Sequence, residues 1–139
     1  MLSGLSIVRL MEGTTATMAL VLKADALYPT GQLHEMAIWP YDRKRDDFHL
    51  ALAVGFNEAR ILNSGPLAGT LVTSEWRRER GATRWSDHRR EIQVYRYVTG
   101  NDVGVYRKIL DYTTTKSYGA EDTKTIEQEF AAIESKARS

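Results

Sequence analysis

Asp47-Phe48-His49-Leu50-Ala51-Leu52-Ala53-Val54-Gly55-Phe56-Asn57-Glu58-Ala59-Arg60-Ile61-Leu62-Asn63 is the stretch on which the fold class turns. Phe48, Leu52, Phe56, Ala59 and Leu62 recur at helical spacing, Asp46 or Asp47 stands where an N-cap belongs, and Asn63-Ser64-Gly65-Pro66 is a stop signal. The spacing predicts a helix over about 47–63. The competing reading is a buried strand from Phe48 to Val54, ended by Gly55.

On the N-terminal side, Leu5, Ile7, Val8, Leu10 and Met11 suggest a strand, Thr17 to Lys23 suggests a second, and Glu12-Gly13-Thr14-Thr15 between them is turn chemistry. These elements make an antiparallel hairpin. Tyr28-Pro29-Thr30-Gly31 breaks the pattern, Met36 to Trp39 reads as a short strand, and Asp42 to Asp47 reads as an exposed charged loop. On the C-terminal side, Gly69 to Trp76 and Glu91 to Val98 read as strands around a loop at Glu79 to Thr83. In the second of these, Ile92, Val94, Arg96 and Val98 share one face, while Gln93, Tyr95 and Tyr97 share the other. Asn101 and Asp102 are placed to cap a short helix containing Val103, Tyr106, Ile109 and Leu110, ended by Thr113 to Thr115. A last helix from about Asp122 carries Ile126, Phe130 and Ile133 on one stripe. The expected fold is α+β: a single domain over 1–139 with a mostly antiparallel sheet and about three helices packed on it.

The composition, 42% hydrophobic and 27% charged with three prolines, is that of a folded chain rather than a disordered one. With no cysteine, disulfides, thiol nucleophiles and cysteine metal sites are excluded. The N-terminal apolar run is cut by Arg9, which argues against a secretory signal. The longest unbroken apolar run, Ala19 to Leu22, is far short of the roughly 20 residues that span a bilayer. A cytoplasmic location, or one inside a particle, is expected, with no membrane partner.

Charge is distributed unevenly. Residues 76–97 hold seven arginines against three acids, while 1–75 hold six basic and eight acidic groups and 98–139 hold six and seven, so a net charge of +1 hides a basic segment. Arginine suits phosphate through its bidentate fork, and aromatic rings offer stacking platforms for bases. Arg77, Arg78, Arg80, Arg84, Trp85, Arg89, Arg90, Tyr95, Arg96 and Tyr97 are therefore the candidate nucleic-acid-binding residues, for RNA or single strands, in a non-enzymatic accessory protein. An RNA-recognition sheet would carry a glycine between the basic residue and the aromatics, and 90–97 has none. The plainer alternative is a solvated hairpin whose arginines pair with Glu75, Glu79, Asp87 and Glu91.

The same residue types mark protein interfaces. The alternative function is thus an assembly cofactor or accessory subunit of a larger particle, viral or phage ones included, self-associating as a homodimer or joined to another protein through this segment or the Ile126, Phe130, Ile133 stripe.

The segment Glu75 to Thr83 resembles, over about ten residues, the pyrophosphate loop of GNAT-type acetyltransferases: Arg78 and Gly81 fit, and Thr83 stands where glycine or alanine belongs. That resemblance implies an acyl-coenzyme-A-dependent enzyme as a third reading. Residues 84–90 lack the apolar stripe of the helix that would come next. His34 with Glu35, His49, and His88 with Asp87 or Glu91 lack the spacing of a hydrolytic zinc site, and Asp42, Asp46 and Asp47 enclose three basic residues. No metal, cofactor or catalytic residue is expected.

Overall fold

The computed structural model describes the chain except residues 1, 13–14, 29–30, 63, 78, 82, 84, 100–103 and 139, and without the side chains of 2–3, 11–12, 15–16, 25–28 and 31–33. Nine strands and one helix succeed one another among the described residues. β1 (Leu2–Glu12), β2 (Thr15–Tyr28), β3 (Gly31–Asp42), β4 (Asp47–Phe48) and β5 (Leu52–Phe56) form a first sheet in the order β1-β2-β3-β4, with β5 also paired to β3. β6 (Glu58–Leu62), β7 (Thr70–Trp76), β8 (His88–Val98) and β9 (Val105–Tyr118) form a second sheet in chain order, and α1 (Thr125–Ala137) closes the sequence. Every strand pairing is antiparallel.

The layers are set by strand parity, because alternate side chains point to opposite faces. Leu10, Ala19, Val21, Met36, Ile38 and Phe56 of the first sheet bury themselves against Leu71 and Tyr97 of the second. The opposite face of the second sheet presents Val72, Ile92 and Val94, on which α1 lays Ile126 and Ile133. The second sheet is thus covered on both sides, and the first on one.

Two of the three expected helices are strands. The stretch 47–63 forms β4, β5 and β6, and the helical spacing there is a coincidence of periods. A step of four residues is also two steps of two, so Leu52 and Phe56, with Val54 between them, alternate into the core as strand residues. At Asn57 the chain passes from one sheet to the other: its backbone N–H donates to the Ser74 carbonyl at 2.9 Å, and its side-chain carbonyl accepts from Trp76 N–H at 2.7 Å. Of the helix expected to contain Val103, Tyr106, Ile109 and Leu110, the last three belong to the start of β9 while Val103 falls outside the described residues, and Thr113 to Thr115, expected at its end, lie mid-strand where β-branched residues pack well. The capping pair Asn101 and Asp102 falls outside the described residues. Among the described residues only the C-terminal helix forms, with Ile126 and Ile133 buried and Phe130 half-buried as its stripe requires. The N-terminal hairpin forms in the register Glu12↔Thr15 to Leu2↔Ala24.

α1 begins without a capping bond from its own N-cap residue, Lys124. The first N–H groups of a helix need acceptors, and these come from across the fold. The buried carboxylate of Glu58 on β6 accepts from Thr125 N–H at 2.9 Å, from Thr125 Oγ1–H at 2.7 Å and from Ile126 N–H at 3.2 Å. The Ser74 hydroxyl on β7 in turn donates to Thr125 Oγ1 at 2.8 Å. A carboxylate at a helix N-terminus is also favoured by the helix dipole.

Candidate interaction surfaces

The basic segment divides into a buried part on β8 and a loop between β7 and β8 whose described residues are mostly exposed. Arg90 is 1% exposed: its Nη2–H donates to the Gly119 carbonyl at 2.6 Å and its guanidinium lies 5.5 Å from the Trp76 ring. Burial pulls its pKa down, opposed by the charges of Asp122, Glu58 and Asp87. Trp76 stacks in turn on the buried His88, with ring centroids 5.0 Å apart and planes 7° from parallel. Tyr97 is 2% exposed and packs on Tyr106 at 5.4 Å. Tyr95 and Tyr97 do share a face, as strand parity requires, but that face is the one covered by the first sheet. Arg90 and Tyr97 therefore do not reach a ligand in this conformation, and Tyr95 and Tyr97 do not make a two-ring stacking platform on the surface. Tyr95 is half-buried, donates to Gln93 Oε1 at 2.6 Å and has its pKa raised chiefly by burial. Arg96, also half-buried, donates to the Ala68 carbonyl at 3.1 Å.

On the loop side, Arg77 is exposed and its Nη1–H donates to Thr113 Oγ1 at 2.9 Å, while Arg80 is exposed. Trp85 is 68% exposed. Arg89 is held by Glu79 at 2.6 Å. Arg78 and Arg84 lie outside the described residues. His88 anchors the loop from below: its Nε2–H donates to the Thr83 carbonyl at 2.8 Å, and its Nδ1 lies 3.3 Å from the Arg77 carbonyl. Gly81 takes the positive φ of +81° that this reversal needs. The loop leads into β8 rather than a helix, so the phosphate-binding helix N-terminus implied by the acetyltransferase resemblance has no counterpart here.

The other sequence candidates are engaged locally. His34 stacks on Phe56, and His49 Nε2–H donates to the Gly104 carbonyl at 3.1 Å. Asp42 accepts from Lys44 N–H, Asp46 from the Tyr41 hydroxyl, and Asp47 from Phe48 N–H. Among the described residues no three histidine, aspartate or glutamate side chains converge as a metal site would need.

A second surface is one that sequence reasoning missed. The first sheet turns a further apolar face outward, with Leu5 63%, Ile7 62% and Met18 53% exposed. The register puts Leu5 beside Leu22 and Ala37, Ile7 beside Leu20 and Trp39, and Arg9 beside Met18. Small residues, Ala24, Ala37, Ala53 and Gly55, form a hollow of about 310 Å³ with Glu35 on its wall. The signal was present: β1 is apolar at both parities, with Leu5 and Ile7 facing out while Val8 and Leu10 face in, and an antiparallel strand covered on one side should alternate with polar residues.

No protein-family model, curated protein or solved structure matches the chain. Among the described residues no helix is long and apolar enough to cross a membrane.

Proposed function

We propose that the protein is an assembly subunit whose outward first-sheet face is covered by another protein surface when it works. The observation that carries this is the double apolar character of the first sheet. One side is buried in the core between the sheets, and the other leaves Leu5, Ile7 and Met18 mostly in water. Fully burying side chains of this size contributes about 1.5–3 kcal/mol each, and contiguous patches of this kind mark binding sites. Hydroxyl-radical footprinting tests it, with Met36, 3% exposed in the core, as the internal control. Met18 should oxidise readily in dilute purified protein and be protected in the cells that make it. Met18 as readily oxidised in cells as the exposed side chain of the dilute protein would sink the reading.

A second reading is favoured by the exposed Arg77, Arg80 and Trp85 on the β7–β8 loop: weak binding of a single-stranded nucleic acid through phosphate neutralisation and one stacked ring. Two arginines neutralising two phosphates give a slope of log affinity against log salt of about −1.4. Fluorescence anisotropy with single-stranded RNA should show that slope flattening in Arg77→Ala/Arg80→Ala. A salt-independent affinity would dismiss it.

A further inference from the structure

We infer that the surface covering the outward face of the first sheet is the same face of a second copy of this chain, related by a two-fold axis that lies in the plane of contact, perpendicular to the diagonal from Arg9 to Glu35. The inference rests on the reading of that face as an assembly surface, and adds the identity of the partner.

The face is self-complementary in charge. Among its described outward positions only Arg9 and Glu35 are charged, and they stand at opposite corners. Arg9 pairs across to Met18 and Glu35 to Ala24, six residues apart on β2, which is about 20 Å along the strand. They also lie two strands apart, on β1 and β3, about 10 Å across the sheet. A two-fold axis that lays Arg9 over the Glu35 of a second copy necessarily lays Glu35 over that copy's Arg9. One cation and one anion thus give two intermolecular pairs.

It is self-complementary in shape along the same diagonal. The Arg9 corner is bulky, with Ile7, Met18, Leu20 and Trp39, and the Glu35 corner is the hollow floored by Ala24, Ala37, Ala53 and Gly55. The rotation that matches the charges seats each copy's bulky half over the other's hollow half. An isologous contact requires both complements on one surface, whereas contact with an unrelated protein requires only one. This face carries both.

Size-exclusion chromatography with light scattering on the full chain, over a wide concentration range, tests the inference together with the Met18 footprint. The wild type should be a dimer with Met18 protected at high concentration. Arg9→Glu and Glu35→Arg, each placing like charges in register, should each raise the dimer dissociation constant about tenfold or more, with circular dichroism unchanged. Mixing the two single variants in equal amounts should restore a dimer containing one of each, and Arg9→Glu/Glu35→Arg should dimerise alone, a pattern only reciprocal Arg9–Glu35 contacts produce. A dimer indifferent to both single variants, or no preference for the mixed dimer, overturns the inference by placing the contact elsewhere. A monomer at every concentration whose Met18 is nevertheless protected in cells overturns it in favour of a different protein, leaving the assembly reading intact. A monomer with Met18 open in cells overturns both.

Discussion

Glu58 shows how a single side chain can fasten two layers. It leaves β6 on the face opposite Ala59 and supplies the acceptors that α1 lacks at its own start. Glu58→Ala would leave Thr125 N–H and Ile126 N–H buried without partners, which costs about 1–3 kcal/mol, while Glu58→Gln keeps an acceptor and should cost less. Urea midpoints of the two variants order them, and equal midpoints would show that the carboxylate does not cap the helix. Gly104 is a second such position. A Cβ built there would overlap the hydroxyl and the adjoining ring carbons of Tyr97, whose side chain is itself buried, so Gly104→Ala must displace the ring. Overpacking of this kind costs about 1–3 kcal/mol, and the penalty should shrink in a Tyr97→Ala background, as a double-mutant cycle would reveal. Neither role is readable from residue type. Glu58 sits inside one stretch expected to be helical, and Gly104 inside another.

Between elements, β9 and α1 are joined by a clasp of two tyrosines on one carboxylate. Tyr112 and Tyr118 hydroxyls donate to Glu129 at 3.3 and 3.0 Å. Burial first, then the Glu129 carboxylate, raises both phenol pKa values, that of Tyr118 to about 12. A phenol whose pKa is raised on folding stabilises the fold fully below its unfolded value near 10, and that contribution is lost as pH climbs through the folded value. Stability should therefore fall between about pH 10 and 12, and Tyr112→Phe/Tyr118→Phe should flatten the fall in alkaline urea titrations. An unchanged profile in the double variant would assign the alkaline loss to other groups. Elements of strong, simple period were legible in the sequence: the hairpin of β1 and β2, the strands β7 and β8, and α1. Legibility failed where a spacing of four serves both periods, at Leu52 and Phe56, and where strand-forming threonines imitate a helix terminus at 113–115.

For the whole molecule, the cluster of Val21, Ile38 and Phe56 with Leu71 and Tyr97 makes the two sheets share one core. Sheets that share a core should melt together. Trp39 lies in the first sheet and Trp76 in the second, so single-tryptophan variants retaining one or the other should report coincident denaturation midpoints, and separated midpoints would show two independent units. The basic segment was legible because charge is a property of composition. That Arg90 and Tyr97 would vanish beneath other layers was not, since the covering residues come from distant parts of the chain. The outward apolar face is written in β1 and β2, but only the pairing register assembles it into one surface.

The single passage between sheets at Asn57 sets an order of events in synthesis. The first sheet lies entirely within residues 2–56, and the strands that cover its inner face, β7 and β8, come later. At about 5–20 residues per second, the roughly 40 residues needed to reach the end of β8 take about 2–8 seconds to add. Throughout that interval the nascent first sheet has neither of its apolar faces covered by the rest of its own chain. The emerging polypeptide is then at its stickiest, and a chaperone waiting at the ribosome would meet the two hairpins of β1, β2 and β3 before β7 and β8 arrive to cover them.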